Sequence, residues 1–112
     1  MTKFLMICSA ALSLTAGATV TSAPVVLDVR SPAEFSEGHV TGARNLDFNS
    51  PEFKAEVAKM DKTATYKVYC QKGGRAGKAE STMRELGFKN VENLGGVDDA
   101  AKKLHAKIQS GK

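Results

Sequence analysis

The sequence predicts a single α/β domain built on a central parallel sheet with helices on both faces. Short apolar stretches that indicate strands alternate with stretches whose apolar residues recur every three or four positions, as in amphipathic helices. Short loops, several of them with glycine or proline, connect these stretches. Strands separated by helices pair in parallel, because each helix crosses one face of the sheet and returns the chain to the same end. The sequence shows no internal repeat and no second domain.

The first residues have the composition of a secretory signal peptide. Lys3 supplies a positive charge, Phe4–Leu14 is an apolar run, and residues 16–18 (A-G-A) form a small-x-small cleavage site. The apolar run is too short to span a bilayer in the mature protein. We therefore expect residues 1–18 to be removed on export to the periplasm; cleavage after Ser22 and a retained N-terminal anchor are the alternatives.

Charge and cysteine content exclude several classes of function. The chain has 16 basic and 12 acidic residues, and its net charge of +4 falls by one without Lys3. The basic residues are dispersed, with no run longer than Lys102-Lys103, so we expect no nucleic-acid partner, whereas small anions would suit this charge. Cys8 precedes the expected domain (residues 19–112), which keeps only Cys70 and can form no internal disulfide. A lone thiol in an oxidising compartment must be buried or used.

Local signals predict the first strand and helix. Val25–Val29 is a continuous run rich in β-branched residues, which is typical of a strand covered on both faces. Ser31 is a good N-cap, Pro32 suits the first helical position, and Glu34 completes a capping box. We predict a short helix that ends near Gly38.

The segment before the second strand is less regular. Gly38–Ala43 contains two glycines and is predicted to be a turn, and Asn45–Phe48 is predicted to be a short extended piece. Residues 50–52 (S-P-E) repeat the helix-start signal. The helix that follows has one apolar face, formed by Phe53, Val57 and Met60.

The second half continues the alternation. Tyr66–Tyr69 is the second strand, and a third is expected over about Asn90–Glu92, before Gly95-Gly96. Gly87 ends the helix between these two strands. The apolar stripe of that helix is Ala76, Ala79, Met83 and Leu86. The stripe of the last predicted helix is Val97, Ala101, Leu104 and Ile108.

The loop from Cys70 to Arg75 (C-Q-K-G-G-R) combines a thiol with groups that bind anions. Only the thiolate of a cysteine is a good nucleophile. The free N–H groups of the next helix, and positive φ angles at Gly73 and Gly74, should surround the sulfur with donors. The arginine can bind two oxygens at once. The cations within one turn of the loop are Lys72, Arg75 and Lys78.

Each of these features also has a plain structural explanation. A single cysteine at the end of a buried strand is commonly a small core residue. The glycines can serve a strand–helix turn, and exposed lysines are ordinary surface charges. The combination of cysteine, two glycines and arginine directly before a helix indicates instead a thiolate that binds an anion.

Three segments resemble those of rhodanese-like domains. Val25–Leu46 (V-V-L-D-V-R-S-P-A-E-F-S-E-G-H-V-T-G-A-R-N-L) resembles the family's N-terminal signature of an apolar strand, D-V-R, an acid plus an aromatic, G-H, G-A and N. Tyr69–Ala79 resembles the active-site loop, and Val91–Val97 the closing Gly-Gly segment. With the signal peptide and the small size, the chain is most similar to single-domain periplasmic rhodaneses of the phage-shock type.

The resemblance implies a thiosulfate sulfurtransferase. In the family, the loop cysteine takes the outer sulfur of thiosulfate as a persulfide and passes it to cyanide or a thiol, so Cys70 would be the nucleophile here. The resemblance implies no metal or organic cofactor. We expect a monomer that needs no membrane after signal cleavage. The residues expected to bind the substrate are Gln71, Lys72, Gly73, Gly74, Arg75 and Ala76.

The other charged signature residues are expected to be structural. Asp28 and Arg30 flank the end of the first strand, where a polar network would pin the neighbouring loops. Glu34 belongs to the same signature, and His39 is not needed as a base if the thiolate is already formed. His105 is predicted to be a surface residue.

The sequence departs from the family pattern at the site. Lys72 and Ala76 stand where small hydroxyl residues are common, which removes possible hydrogen bonds to the sulfur and adds a charge favourable to thiosulfate. The tryptophan that often follows the Gly-Gly segment is absent, because the chain has none.

Three other functions compete with this interpretation. Phosphatases and arsenate reductases of the same fold place one residue more between cysteine and arginine than the segment Gln71–Gly74 supplies. A thiol–disulfide oxidoreductase would need a second cysteine. A non-catalytic sulfur carrier or interaction module of the rhodanese fold is the main alternative, although inactive relatives usually lose the cysteine.

Overall fold

The computed structural model describes residues 23–111. The predicted signal peptide lies outside these residues, as does Cys8. The signal peptide and its cleavage after Ala18 therefore stay predictions. In chain order the elements are β1 (Val25–Asp28), α1 (Pro32–Glu37), β2 (His39–Val40), β3 (Arg44–Asn45), α2 (Phe53–Ala58), β4 (Thr65–Tyr69), α3 (Gly74–Glu85), β5 (Asn90–Gly95), α4 (Val97–Leu104) and β6 (Ile108–Gln109).

A four-stranded parallel sheet in the order β3-β1-β4-β5 forms the centre of the domain. One apolar core lies between one face of this sheet and the helices α2 and α3, and includes Leu27, Val68 and Met83. A second core on the opposite face joins Tyr69 and Leu94 to α4. The parallel sheet with helices on both faces confirms the predicted fold class.

The capping box of α1 is also confirmed. The Ser31 hydroxyl oxygen accepts the Glu34 N–H at 3.2 Å, and Glu34 Oε1 accepts the Ser31 N–H at 3.1 Å. By contrast, α2 begins only at Phe53, because the Ser50 side chain caps a turn by accepting the Glu52 N–H at 3.1 Å. Met60 lies beyond the end of this helix but still packs against the core.

The prediction of a last helix reaching Ile108 is wrong. His105 adopts a left-handed backbone conformation (φ 52°) that ends α4 at Leu104. The chain then turns into β6, which pairs antiparallel with β2 and leaves Ile108 45% exposed. Leu104 and Ile108 have helical spacing, but spacing alone does not show where a helix ends. His105 itself is exposed, as predicted.

The segment predicted as a turn after α1 contains the strand β2, and its histidine is buried. The His39 ring stacks on Phe35 with centroids 3.6 Å apart, and its Nδ1 lies 2.8 Å from the Phe35 carbonyl oxygen. This histidine is 2% exposed and serves packing, in agreement with the structural role predicted for it. Within residues 23–111, no helix has both the length and the apolar character needed to cross a bilayer.

Candidate active site

Cys70 lies at the carboxyl edge of the sheet, directly after β4. Its backbone N–H donates to the Gly95 carbonyl at 3.1 Å and so prolongs the pairing of β4 with β5. Its side chain belongs to the core between the sheet and α3, and the residue is only 1% exposed. The sulfur therefore has a fixed position, because both its backbone and its surroundings are held by the sheet.

Two backbone N–H groups point at the sulfur. The Gly73 N–H donates to Sγ at 2.9 Å and the Ala76 N–H at 3.4 Å. The second donor belongs to the first turn of α3, where N–H groups have no partner within the helix. The N-cap of α3 is Gly73, which has no side chain to fill that role. Cys70 Sγ takes the place of a capping oxygen at the positive end of this helix.

The two loop glycines differ in conformation. Gly73 has a φ of 105°, which side chains rarely tolerate, and this geometry turns its N–H toward the sulfur. The expectation of a positive φ at Gly74 is wrong, because Gly74 is already the first residue of α3. A Cβ at Gly74 would meet no atom within 4 Å.

Residues at the end of β5 and directly after it contact the backbone of the cysteine loop. A Cβ built at Gly96 would lie 2.4 Å from the Gln71 carbonyl oxygen, so the loop backbone rests directly on this glycine. Asn93 donates from Nδ2 to the Gly73 carbonyl at 3.2 Å, and its Oδ1 accepts the Gly95 N–H at 2.8 Å. Neither role was predicted from the sequence, where the only local signal is an asparagine shortly before two glycines.

Replacement of Asn93 by aspartate should loosen the loop without changing side-chain size. The new carboxylate would face the Gly73 carbonyl without a proton to donate, so we expect a loss of about 1–3 kcal/mol in the free energy of unfolding. We also expect the rate at which Cys70 reacts with a thiol reagent to change, because the neighbouring N–H donor shifts. Chemical denaturation and alkylation kinetics would measure both effects.

Asn90→Asp is the matched control for this change. Asn90 lies on the same strand, is exposed, and makes one long hydrogen bond to the Thr63 carbonyl at 3.4 Å. It therefore introduces the same charge at the other end of β5. Equal effects of the two substitutions on stability and alkylation would show that Asn93 has no special role in positioning the loop.

A buried ion pair joins the first signature segment to the loop. Arg30 binds both carboxylate oxygens of Asp28, with the shortest contact at 2.7 Å, and donates to the Gly38 carbonyl at 2.6 Å. Its remaining nitrogen donates to Gln71 Oε1 at 3.0 Å. Asp28 and Arg30 are 0% and 4% exposed. The predicted polar network that pins neighbouring loops is confirmed, and Gln71 is the point where it reaches the active-site loop.

Arg75 forms a two-point ion pair with Glu34. Its terminal nitrogens donate to Glu34 Oε1 at 2.8 Å and to Oε2 at 3.0 Å. The guanidinium holds the pKa of Glu34 at about 2, and the carboxylate in turn raises the pKa of Arg75. The side chains are 28% and 30% exposed, so the pair lies at the rim of the site. This contact, between residues 41 positions apart, was not predicted.

The remaining predicted site residues lie around this pair. Lys72 is exposed, as is Lys78, and neither forms an ion pair with another residue in the described part of the chain. Ala76 is fully buried and contributes its N–H rather than its side chain. Among residues 23–111, no three His, Cys, Asp or Glu side chains cluster closely enough to bind a metal ion.

Comparison with known proteins identifies the family. The sequence profile of the Rhodanese-like domain matches residues 13–103. The chain belongs to the rhodanese-like domain family. This agrees with the resemblance seen in the first signature, the cysteine loop and the Gly-Gly segment.

Named relatives of this rhodanese-like domain include sulfurtransferases. Thiosulfate sulfurtransferase PspE of Escherichia coli is 37% identical over 91 residues, which cover 81% of this chain and 88% of the relative. Thiosulfate sulfurtransferase GlpE of Pseudomonas putida is 36% identical over 72 residues, 64% of each chain. A solved structure described as a rhodanese with anions from E. coli superposes with a TM-score of 0.67 at 35% identity, and covers 80% of this chain and 100% of that one.

Proposed function

We propose that this rhodanese-like domain is a thiosulfate sulfurtransferase that carries the transferred sulfur on Cys70 as a persulfide. The observation that carries the proposal is the geometry of the sulfur, which accepts two backbone N–H groups at the start of α3. Such donors stabilise a negative charge on sulfur, both on the thiolate and on the persulfide that would follow.

The reaction would proceed in two steps. The Cys70 thiolate attacks the outer sulfur of thiosulfate, a sulfur–sulfur bond forms, and sulfite leaves with the electron pair of the broken bond. Cyanide or a thiolate acceptor then attacks the outer sulfur of the persulfide and regenerates the Cys70 thiolate. No oxidant or reductant is consumed. A covalent intermediate of this kind gives ping-pong kinetics.

The loop would bind the donor through its backbone and its cations. The N–H groups of Gly73 and Ala76 point at the sulfur, and the other N–H groups of Gln71–Ala76 would join them around a bound donor. Arg75, next to Ala76, would bind the sulfonate end. Exposed Lys72 would attract anionic donors over a longer range. Because Cys70 is almost fully buried, a donor that ends in a single sulfur atom suits the site better than a bulky one.

Intact mass spectrometry after thiosulfate treatment tests this function. We expect the protein to gain the mass of one sulfur atom, to lose it again on addition of cyanide, and to gain nothing in the Cys70→Ser variant. If the full chain is expressed in a Gram-negative host and recovered from its periplasm, the measured mass should also be that of a chain that begins at residue 19. This would support our further proposal that the protein is exported.

Three outcomes would contradict these proposals. An unchanged mass, with a thiol that still reacts with an alkylating reagent, would argue against the persulfide. A gain of one sulfur without release of thiocyanate on repeated addition of both reagents would indicate a non-catalytic sulfur carrier. A periplasmic protein whose mass still includes residues 1–18 would argue against the predicted cleavage.

A further inference from the structure

We propose that Glu34 sets the charge of the sulfur donor that the site accepts, by competing with the donor for Arg75. The inference rests on the proposed sulfurtransferase function and concerns a residue that lies outside the cysteine loop. Its basis is the two-point contact between the Glu34 carboxylate and the terminal nitrogens of Arg75, at 2.8 and 3.0 Å.

The contact occupies the part of arginine that recognises oxyanions. A guanidinium binds sulfonate, carboxylate or phosphate best through two parallel N–H groups. In this site both terminal nitrogens already donate to Glu34. A donor must therefore displace the carboxylate or use the hydrogen atoms that point elsewhere, and in either case it meets a pair whose net charge is zero.

Glu34 is held in place independently of Arg75. Its Oε1 also accepts the Ser31 N–H and the Ser31 hydroxyl, each at 3.1 Å, as part of the capping box of α1. These two contacts hold the carboxylate in place if Arg75 moves, so it does not follow the arginine toward a ligand. With a pKa of about 2, it is negatively charged throughout the pH range of an enzyme assay.

The surroundings of the pair are acidic on the side of α2. A cleft of about 280 Å³, lined among others by Pro32, Asp47, Glu52 and Glu56, lies between the start of α1 and α2. Asp47 also raises the pKa of Arg75, as Glu34 does more strongly. A donor that approaches Arg75 from this side meets the Asp47 carboxylate in addition to that of Glu34. The cost of that approach grows with the donor's negative charge.

A Glu34→Gln substitution isolates the charge. Glutamine keeps an Oε1 that can accept from Ser31, so α1 should retain its cap, but it cannot neutralise Arg75. We expect KM for thiosulfate, a dianion, to fall by about three- to tenfold at low ionic strength, with kcat changed less than twofold. For a thiosulfonate donor, a monoanion that transfers the same sulfur with sulfinate as the leaving group, we expect a smaller change. The preference for thiosulfate should rise accordingly.

Glu37→Gln is the matched control. Glu37 lies on the same helix, is exposed, and forms no ion pair with any residue in the range 23–111. The Glu37→Gln substitution changes the net charge by the same amount but leaves the pair of Glu34 and Arg75 intact. The KM values of this variant should therefore stay near those of the wild type. Sodium chloride at high concentration should remove most of the difference between Glu34→Gln and wild type.

The outcomes separate this inference from the proposed function. A rise in KM for thiosulfate in Glu34→Gln would show that Glu34 only orients Arg75 for binding, and would overturn the inference. Equal changes for the dianionic and monoanionic donors, or in Glu37→Gln, would also overturn it. All of these results presuppose that the wild type forms the persulfide. If it does not, the proposed function itself fails, and the mass measurement shows this first.

Discussion

Turnover of thiosulfate with cyanide should fall by at least about 10⁴-fold when Cys70 is replaced by serine. A serine hydroxyl at this position keeps its proton and cannot hold a sulfur atom as a persulfide. The two N–H donors that face the sulfur in the wild type do not convert the serine hydroxyl into a nucleophile, because an alcohol is a far weaker acid than a thiol. Release of thiocyanate under steady-state conditions measures the loss.

The stability of the Cys70→Ser variant serves as the control. Serine is close to cysteine in size, and its oxygen can accept the N–H groups of Gly73 and Ala76. The fold should therefore remain, as a cooperative denaturation curve would show. A variant that folds and still turns over thiosulfate at a large fraction of the wild-type rate would end the assignment of Cys70 as the sulfur carrier.

Replacement of Gly96 by alanine should disturb the loop from a position outside it. The backbone conformation of Gly96 (φ −87°, ψ 176°) is open to any residue, so the cost is steric. The new Cβ would lie 2.4 Å from the Gln71 carbonyl oxygen. We expect a loss of about 2–3 kcal/mol in the free energy of unfolding. A shift of the loop by an ångström should also lower turnover by about 100-fold.

Gly77→Ala tests whether the effect comes from the contact. Gly77 lies within α3, and a Cβ there would be 3.5 Å from Asn93 Nδ2, an ordinary distance. Alanine in a helix interior should stabilise the protein by roughly 0.5–1 kcal/mol. Chemical denaturation of both variants, with thiosulfate turnover of Gly96→Ala, gives the comparison. If Gly96→Ala proved as stable and as active as the wild type, the loop would not depend on this close approach.

Local signals made the fold and the centre of the site predictable. The capping box around Ser31, the apolar run of β1 and the order of strand, cysteine loop and helix all lie within short segments. These features depend on neighbouring residues, which the sequence places next to each other. The parallel sheet then follows from the alternation of strands and helices.

The features that could not be predicted are of two kinds. Some are contacts between segments far apart in the sequence, and others depend on a residue spacing that fits both a helix and a strand. Glu34 and Arg75 meet because α1 and α3 both start at the carboxyl edge of the sheet, and nothing in their local sequences indicates this pairing. The same holds for Asn93 beneath Gly73. Ile108 fits a helical stripe as well as a strand, and only the left-handed backbone before it decides between them.

The donors to the sulfur are part of the main chain, and this affects how the site can evolve. Exchange of the side chain at position 72 or 76 leaves the N–H groups of Gly73 and Ala76 intact. The exception is proline at position 76, which would remove the second donor. Side chains around the sulfur can therefore change, and with them the donor preference that we propose, while the two backbone donors to Cys70 Sγ are kept. Lys72 and Ala76, which differ from the hydroxyl residues that the resemblance predicts, are side chains that such an arrangement accommodates.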